Sequence, residues 1–244
     1  MNTPSNRLLH MTSTQTLIPA LLSRARCVGR RSAPWCAGAL LAALALAGCG
    51  TTASARYYTL LDAAGGRAAP AAAPGRYALQ VQPVSLPPAV DVPQLLVRSS
   101  AGEVVPLENA RWLGPLADEI RGALVSQLTQ ALGVPEVSSV AVPPGLPVYR
   151  LQLGLTRFDS VAGRYALQDA DWSLREVSAT GAAPAEGTAG GGEPAVLLCR
   201  SRQVVAPADG STEALVNAHQ RALDALGGQI AAVAALPPAQ WRCP

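Results

Sequence analysis

Hydrophobic and polar positions outline most of the elements of this chain. Between residues 148 and 158, Tyr149, Leu151, Leu153 and Leu155 fall on one phase and Arg150, Gln152 and Thr156 on the other, the period of a strand with one buried face. Residues 77–82 alternate likewise, and residues 94–98 and 103–107 predict a hairpin turning at Ala101-Gly102. Residues 164–176 carry a slip. Tyr165 and Leu167 lie in one phase and Trp172 and Leu174 in the other, which predicts a β-bulge around Gln168-Asp169. Residues 56–61 and 195–206 read as two further strands. Two segments follow helical spacing instead. Leu113, Leu116, Ile120, Leu124, Leu128 and Leu132 form one stripe, with Pro115 in the first turn, Asp118 and Glu119 near the positive end of the dipole, and Gly133 and Pro135 as the stop. The second helix, predicted over 212–236, places Leu215, His219, Leu223, Leu226, Ile230 and Val233 on one face, capped by Ser211 and ended by Pro237-Pro238. Two amphipathic helices need one sheet face to cover. The order strands, helix, three antiparallel strands, helix therefore predicts an α+β fold: a mixed, largely antiparallel sheet with both helices on one face.

The connecting segments differ in kind. Residues 62–76 are rich in Ala, Gly and Pro and read as a tether or exposed loop. Residues 180–194 are low in complexity and read as a long hairpin loop. Residues 83–93 hold four prolines, which lack N–H donors, so this stretch is an extended edge or loop.

The start of the chain follows another logic. Residues 37–47 are eleven consecutive Ala, Leu and Gly residues, about 16 Å as a helix and too short to span a hydrocarbon core of ~30 Å. Arginines precede the run and no acid appears before Asp62. Basic, apolar and then small residues read as a secretory signal, and Leu46-Ala47-Gly48-Cys49 resembles the lipobox of bacterial lipoproteins. The expected organisation is a cleaved signal over 1–48, a segment 49–76 acylated at Cys49 and holding the first short strand and the tether, and a single α+β domain over 77–244.

Cleavage would change the electrostatics. All nineteen basic residues are arginine and five lie in the leader, so residues 49–244 carry fourteen arginines against sixteen acids. A net charge of −2 offers no general attraction to nucleic acid. With Cys49 acylated, Cys199 and Cys243 remain as an even pair in an oxidising compartment. That favours a disulfide over two separate thiols.

Catalytic chemistry is scarce. His219 is the only histidine after the leader and sits on an apolar stripe, a structural position, with no second histidine or free cysteine to make a metal set. No G-x-S-x-G elbow occurs. Asp159, Asp169 and Asp171 cluster, but on a hairpin they read as solvated turn residues before they read as an acid–base pair. The expectation is no enzyme, no cofactor and no metal.

An ordered set of segments carries a likeness. "YYTL" soon after the lipobox, "VQPVSLPPAVDVPQLLVR", "ENARWLGPLADEIRGALVSQL" with Arg111-Trp112 heading the first helix, and "ALVNAHQRALDALGGQIA" resemble the ABC-type transport auxiliary lipoproteins, the PqiC-like family. The resemblance implies a fold like the N-terminal domain of TolB. It also implies a non-enzymatic lipoprotein anchored in the outer membrane and facing the periplasm, where Gly50 suits outer-membrane sorting. Such a protein would accompany an ABC ATPase and permease with an MCE-domain protein in lipid transport and outer-membrane integrity, and it leaves room for a homo-oligomer. The alternative is a structural or assembly lipoprotein of another envelope complex. A partner surface is expected at Leu86, Pro87, Pro88, Val90, Val92 and Gln94, with Trp112 nearby, because prolines pre-order an apolar loop. The same prolines could instead guard a sheet edge, and both readings stay open here.

Overall fold

The computed structural model describes residues 54–61, 77–177 and 195–244, all within the unit Ala53–Pro244. Cys49, the signal segment, residues 62–76 and the low-complexity stretch 180–194 lie outside the described residues.

The alternation around Leu151 produces the longest strand, β5 (Val148–Val161). It pairs antiparallel with β6 (Tyr165–Val177), and β6 pairs antiparallel with β7 (Val196–Val205). On the other side β2 (Ala78–Val81) runs parallel to β5, giving the order β2-β5-β6-β7. A second sheet has the order β1-β4-β3: β1 (Arg56–Tyr58) is parallel to β4 (Val104–Trp112), and β3 (Gln94–Arg98) is antiparallel to it. The free side of β2 is partly closed where the Leu79 N–H donates to Pro135 O and the Val137 N–H to Leu79 O, both at 2.9 Å.

Two helices cover one side. Helix α1 (Leu116–Leu132) follows Pro115 and ends at Gly133, whose φ of 64° lets its N–H reach Thr129 O. Helix α2 (Thr212–Ala234) is capped by the Ser211 hydroxyl, which accepts from the Ala214 N–H at 3.1 Å. Ile120, Leu124 and Leu128 of α1 and Leu226 and Ile230 of α2 meet Leu151, Leu153, Trp172 and Leu174 of the sheet in one core. Each fully buried Leu or Ile there contributes roughly 2 kcal/mol. Glu119 is buried in the first turn of α1 and accepts from Thr59 Oγ1 and, at 3.0 Å, from the Leu60 N–H, fastening the exit of β1 to the helix.

The α+β class and both helices match the sequence reading, but five details differ. The strands divide between two sheets where the sequence reading expects a single mixed sheet. Leu113 precedes α1 and is 66% exposed. Arg111 and Trp112 end β4 rather than heading the helix, because β4 continues past Leu107 to pair with β1. The first strand stops at Tyr58 rather than at residue 61. The bulge lies in β5 and not in β6: Leu155 pairs with Ala170 and Arg157 with Asp169, leaving Thr156 as the extra residue. Strand β6 keeps one phase throughout. Its helix-facing positions are Ala166, Gln168, Ala170, Trp172 and Leu174, all buried. Small residues serve there because Ala166 packs directly on Leu215 and Ala218 of α2.

Cys199 of β7 is bonded to Cys243, with 5.5 Å between their Cα atoms. The chain beyond α2 passes through a short 3-10 turn (Pro238–Gln240) and places Trp241, 3% exposed, edge-on to Tyr149 at 5.0 Å. Tyr149 stacks on Tyr77 at 4.0 Å, and the Tyr77 hydroxyl donates to Ala234 O. Burial pushes the Tyr77 phenol up to about 12.

Candidate functional site

The proline-rich segment becomes a loop held at both ends. At its start the Ser85 N–H donates to Leu153 O at 3.2 Å and Ser85 O accepts from the Leu155 N–H at 2.9 Å, so this residue extends the β2 edge along β5. At its end Pro93 O accepts from the Trp112 N–H at 2.8 Å. Between these anchors the Val90 N–H donates to Pro87 O, closing a turn over Pro88-Ala89. Proline fixes φ at Pro87 and Pro88, so little conformational entropy remains to be lost on contact.

Under the loop lies a cleft of about 240 Å³. One wall is Pro87, Ala89 and Val90; the others come from Leu96 and Val104 of the second sheet and from the bulged part of β5. Its polar side is made by Arg98, Arg157 and Asp159. The Asp159 carboxylate accepts from Arg98 Nε at 3.0 and 3.1 Å, from Arg157 Nη2 at 3.2 Å and from the Tyr165 hydroxyl at 3.2 Å. Two guanidiniums thus share one carboxylate in a cleft whose loop side is apolar and whose β5 side also presents Thr156 and Ser160.

The expected contact residues sort by place. Pro87 and Val90 line the cleft, Pro88 is exposed beside it, and Val92 and Gln94 are half-buried at the foot of the loop. Leu86 turns inward and packs on the core. Trp112 is 5% exposed and meets Phe158 edge-on at 6.0 Å, so it backs the cleft from inside. Sequence reasoning missed Arg98, Arg157 and Phe158. The signal lay in position: Phe158 is the only phenylalanine in the chain and directly follows an arginine at the end of the alternation.

One pair has the atoms of a serine–histidine dyad. His219 Nε2 lies 2.8 Å from Ser160 Oγ. Gln168 Nε2 donates to His219 O at 2.9 Å and faces Nδ1 at 3.3 Å. Where the Gln168 amide N–H faces Nδ1, that nitrogen accepts and Nε2 carries the proton toward Ser160; hydrogen positions here follow from the hydrogen-bond network. A serine that accepts from histidine is not being deprotonated by it. His219 is 1% exposed, stacked on Phe158 at 4.0 Å, and burial pushes its imidazole down to about 3. Both members of the pair are buried in the core, Ser160 7% and His219 1% exposed. The three clustered aspartates are likewise held by arginines on strands and not on turns: Asp169 accepts from Arg202 at 2.7 and 2.8 Å, Asp171 from Arg200 at 2.6 and 3.1 Å. Both carboxyls are held below the ordinary aspartate range, first by those arginine hydrogen bonds. Among the described residues no group of three metal-ligating side chains occurs, and no helix is long and apolar enough to cross a membrane.

A family model described as ABC-type transport auxiliary lipoprotein component matches residues 58–231, which include the loop, the cleft, α1 and most of α2. No curated protein matches the chain significantly. Among solved structures, an uncharacterized protein is 17% identical over 73% of this chain and 97% of its own, with a TM-score of 0.54, a likeness of fold. A protein from Xanthomonas campestris is 18% identical over 64% of this chain and 81% of its own, with a TM-score of 0.44.

Proposed function

Because the chain belongs to the ABC-type transport auxiliary lipoprotein family, we propose that it is a non-enzymatic envelope lipoprotein that docks the periplasmic MCE-domain protein of an ABC lipid transporter through the cleft beneath its proline-rich loop. It is anchored by acyl chains on Cys49 in the outer membrane, faces the periplasm and supports outer-membrane integrity. The observation that carries the reading is the loop itself. Seven residues, 86–92, are tied to strands at both ends and overhang an apolar cleft. Edge protection alone does not require such a cavity, and a pre-ordered apolar loop loses little entropy on binding. The burial of Ser160 and His219 supports a non-catalytic role.

The loop test uses Ala89→Asp with Val90→Asp, two positions on the cleft wall, because a charge at Leu86 would also disturb the core. The double variant is expected to keep its melting temperature within a few degrees and to fractionate like wild type. It is also expected to lose co-purification with the MCE protein and to fail to restore detergent resistance in a deletion strain. Normal binding and complementation would return the loop to edge protection. Fractionation of Cys49→Ala tests the anchor, and continued maturation with outer-membrane recovery would refute it.

A further inference from the structure

The sheet face turned away from the helices has an ordered chemistry. Reading across β5, β6 and β7, its rows are Arg150–Arg175–Val196, Gln152–Ser173–Leu198, Gly154–Asp171–Arg200, Arg157–Asp169–Arg202 and Asp159–Leu167–Val204. With Arg98 of β3 joined to Asp159, six arginines stand against three aspartates. The face is therefore positive, although residues 49–244 together are net negative. Arg150 and Arg175 are directly paired with no carboxylate between them among the described residues, an arrangement that costs stability unless an anion relieves it. Arg200 and Arg202 are 77% and 63% exposed. Each uses Nε and Nη2 on its aspartate, which fixes the guanidinium plane and leaves Nη1 outside that bidentate pair. Thr156 bulges β5, so Thr156 and Arg157 are both exposed and Arg157 stands between Asp159 and Asp169. The apolar cleft adjoins this face through Arg98, Arg157 and Asp159.

We propose that this face, together with the cleft, binds an extended polypeptide segment that seats one apolar side chain beneath Pro87 and Val90 and lays one carboxylate on Arg157 and a second on Arg202, with Arg200 beside it. This rests on the docking reading above and adds the partner's chemistry. Charge decides the occupant. A second copy would bring the same positive face against itself. A carboxylate-bearing peptide meets fixed guanidinium planes that suit carboxylates. Spacing follows from the strands. Arg157 and Arg202 are two strands apart, roughly 10 Å, and an extended peptide advances about 3.3 Å per residue. The segment then has an acid beside its apolar anchor, for Arg157, and a second acid about three residues further, for Arg202.

The test is fluorescence anisotropy on the full chain with three labelled twelve-residue peptides: Leu-Glu-Ser-Ser-Glu in a Gly-Ser frame, the same frame with Lys for Glu, and the same with Ser for Leu. The acidic–apolar probe is expected to bind at least tenfold more tightly than either control and to weaken at least fivefold between 50 and 300 mM NaCl. Arg200→Gln with Arg202→Gln should remove the preference for acid, Val90→Asp should remove the preference for leucine, and both should leave the circular dichroism spectrum unchanged. Equal binding of the three probes, or variants that bind as wild type, would overturn the proposal. Vesicles with 30% phosphatidylglycerol form the other arm, with Cys49→Ala chain to remove the anchor. Flotation that depends on Arg200 and Arg202, without a peptide preference, would assign the face to a lipid surface and overturn it. Failure of the docking reading is separate: wild-type chain would not co-purify with the MCE protein. If wild type co-purifies and the arginine variant does so equally well, only the present proposal falls.

Discussion

His219 is the residue whose setting makes the sharpest physical demand. Its ring is sealed between Phe158, Ser160 and Gln168, and the folded protein holds it neutral down to about pH 3. In the unfolded chain a histidine takes a proton near pH 6.5. The folded pKa is thus the lower of the two. Stability is undisturbed above about pH 6.5 and falls as the unfolded state alone gains a proton below it, by about 1.4 kcal/mol per pH unit. The paired carboxylates add to acid loss only lower down, since Asp169 and Asp171 are held below the ordinary aspartate range. Urea denaturation between pH 7 and 4.5 should show a loss of about 2–3 kcal/mol. His219→Gln should start less stable and lose most of that slope, whereas an unchanged slope would place the titrating group elsewhere.

At the scale of elements, the contact between α1 and α2 turns on Gly227. A Cβ built there would stand 1.9 Å from Gln127 Oε1, while Gln127 Nε2 donates to Asp224 O at 2.7 Å. Gly227→Ala should displace only the end of a flexible side chain. The lost hydrogen bond, about 1 kcal/mol, is then offset by a helix-propensity gain of similar size. Gly227→Leu has no such room and should lower stability by about 1–3 kcal/mol in thermal denaturation. The helices themselves were legible because long apolar side chains repeat at three and four along α1 and α2, and a cap and a stop flank them. The bulge was not. Ala166, Gln168 and Ala170 face the helices on β6, and their small or polar side chains hide a buried phase, while Leu167 on the opposite face imitates one. The mark in β5, adjacent polar Thr156-Arg157 and a Phe158 out of phase with Leu151, Leu153 and Leu155, is a single step and is outweighed by the apparent slip in β6. The cleft was half legible. Prolines drew attention to its loop, but its arginine side needs β3, β5 and β6 brought together, which no local pattern encodes.

For the molecule as a whole, the Cys199–Cys243 bond joins the last strand to the tail beyond α2, across a sequence separation of 44. In the chain-entropy account such a loop stabilises by about 4 kcal/mol, as an upper figure. Calorimetry with and without reductant should show a clear fall in melting temperature on reduction. Trp241 should gain solvent exposure, read as a red shift of its fluorescence. A transition unaffected by reductant would mean that Trp241 and its packing on Tyr149 hold the tail unaided. The family match begins at residue 58, so β1 lies at the edge of what the family shares, yet it pairs with β4 in register from Arg56 to Tyr58.

That short parallel strand has a mechanical consequence. With the proposed anchor at Cys49, only six residues lie between it and Arg56, a leash of at most about 25 Å. The Ala/Pro/Gly stretch 62–76 falls between β1 and β2 and lends the leash no length. A pull along β1 would load its three pairs with β4 together, in shear, and strain next reaches the Glu119 clamp on Thr59 and Leu60. Under tension this end of the fold would hold until the clamp gave way. The Cys199–Cys243 bond would meanwhile keep β7 and the tail beyond α2 joined, so the two ends of the described fold would yield to force in different ways.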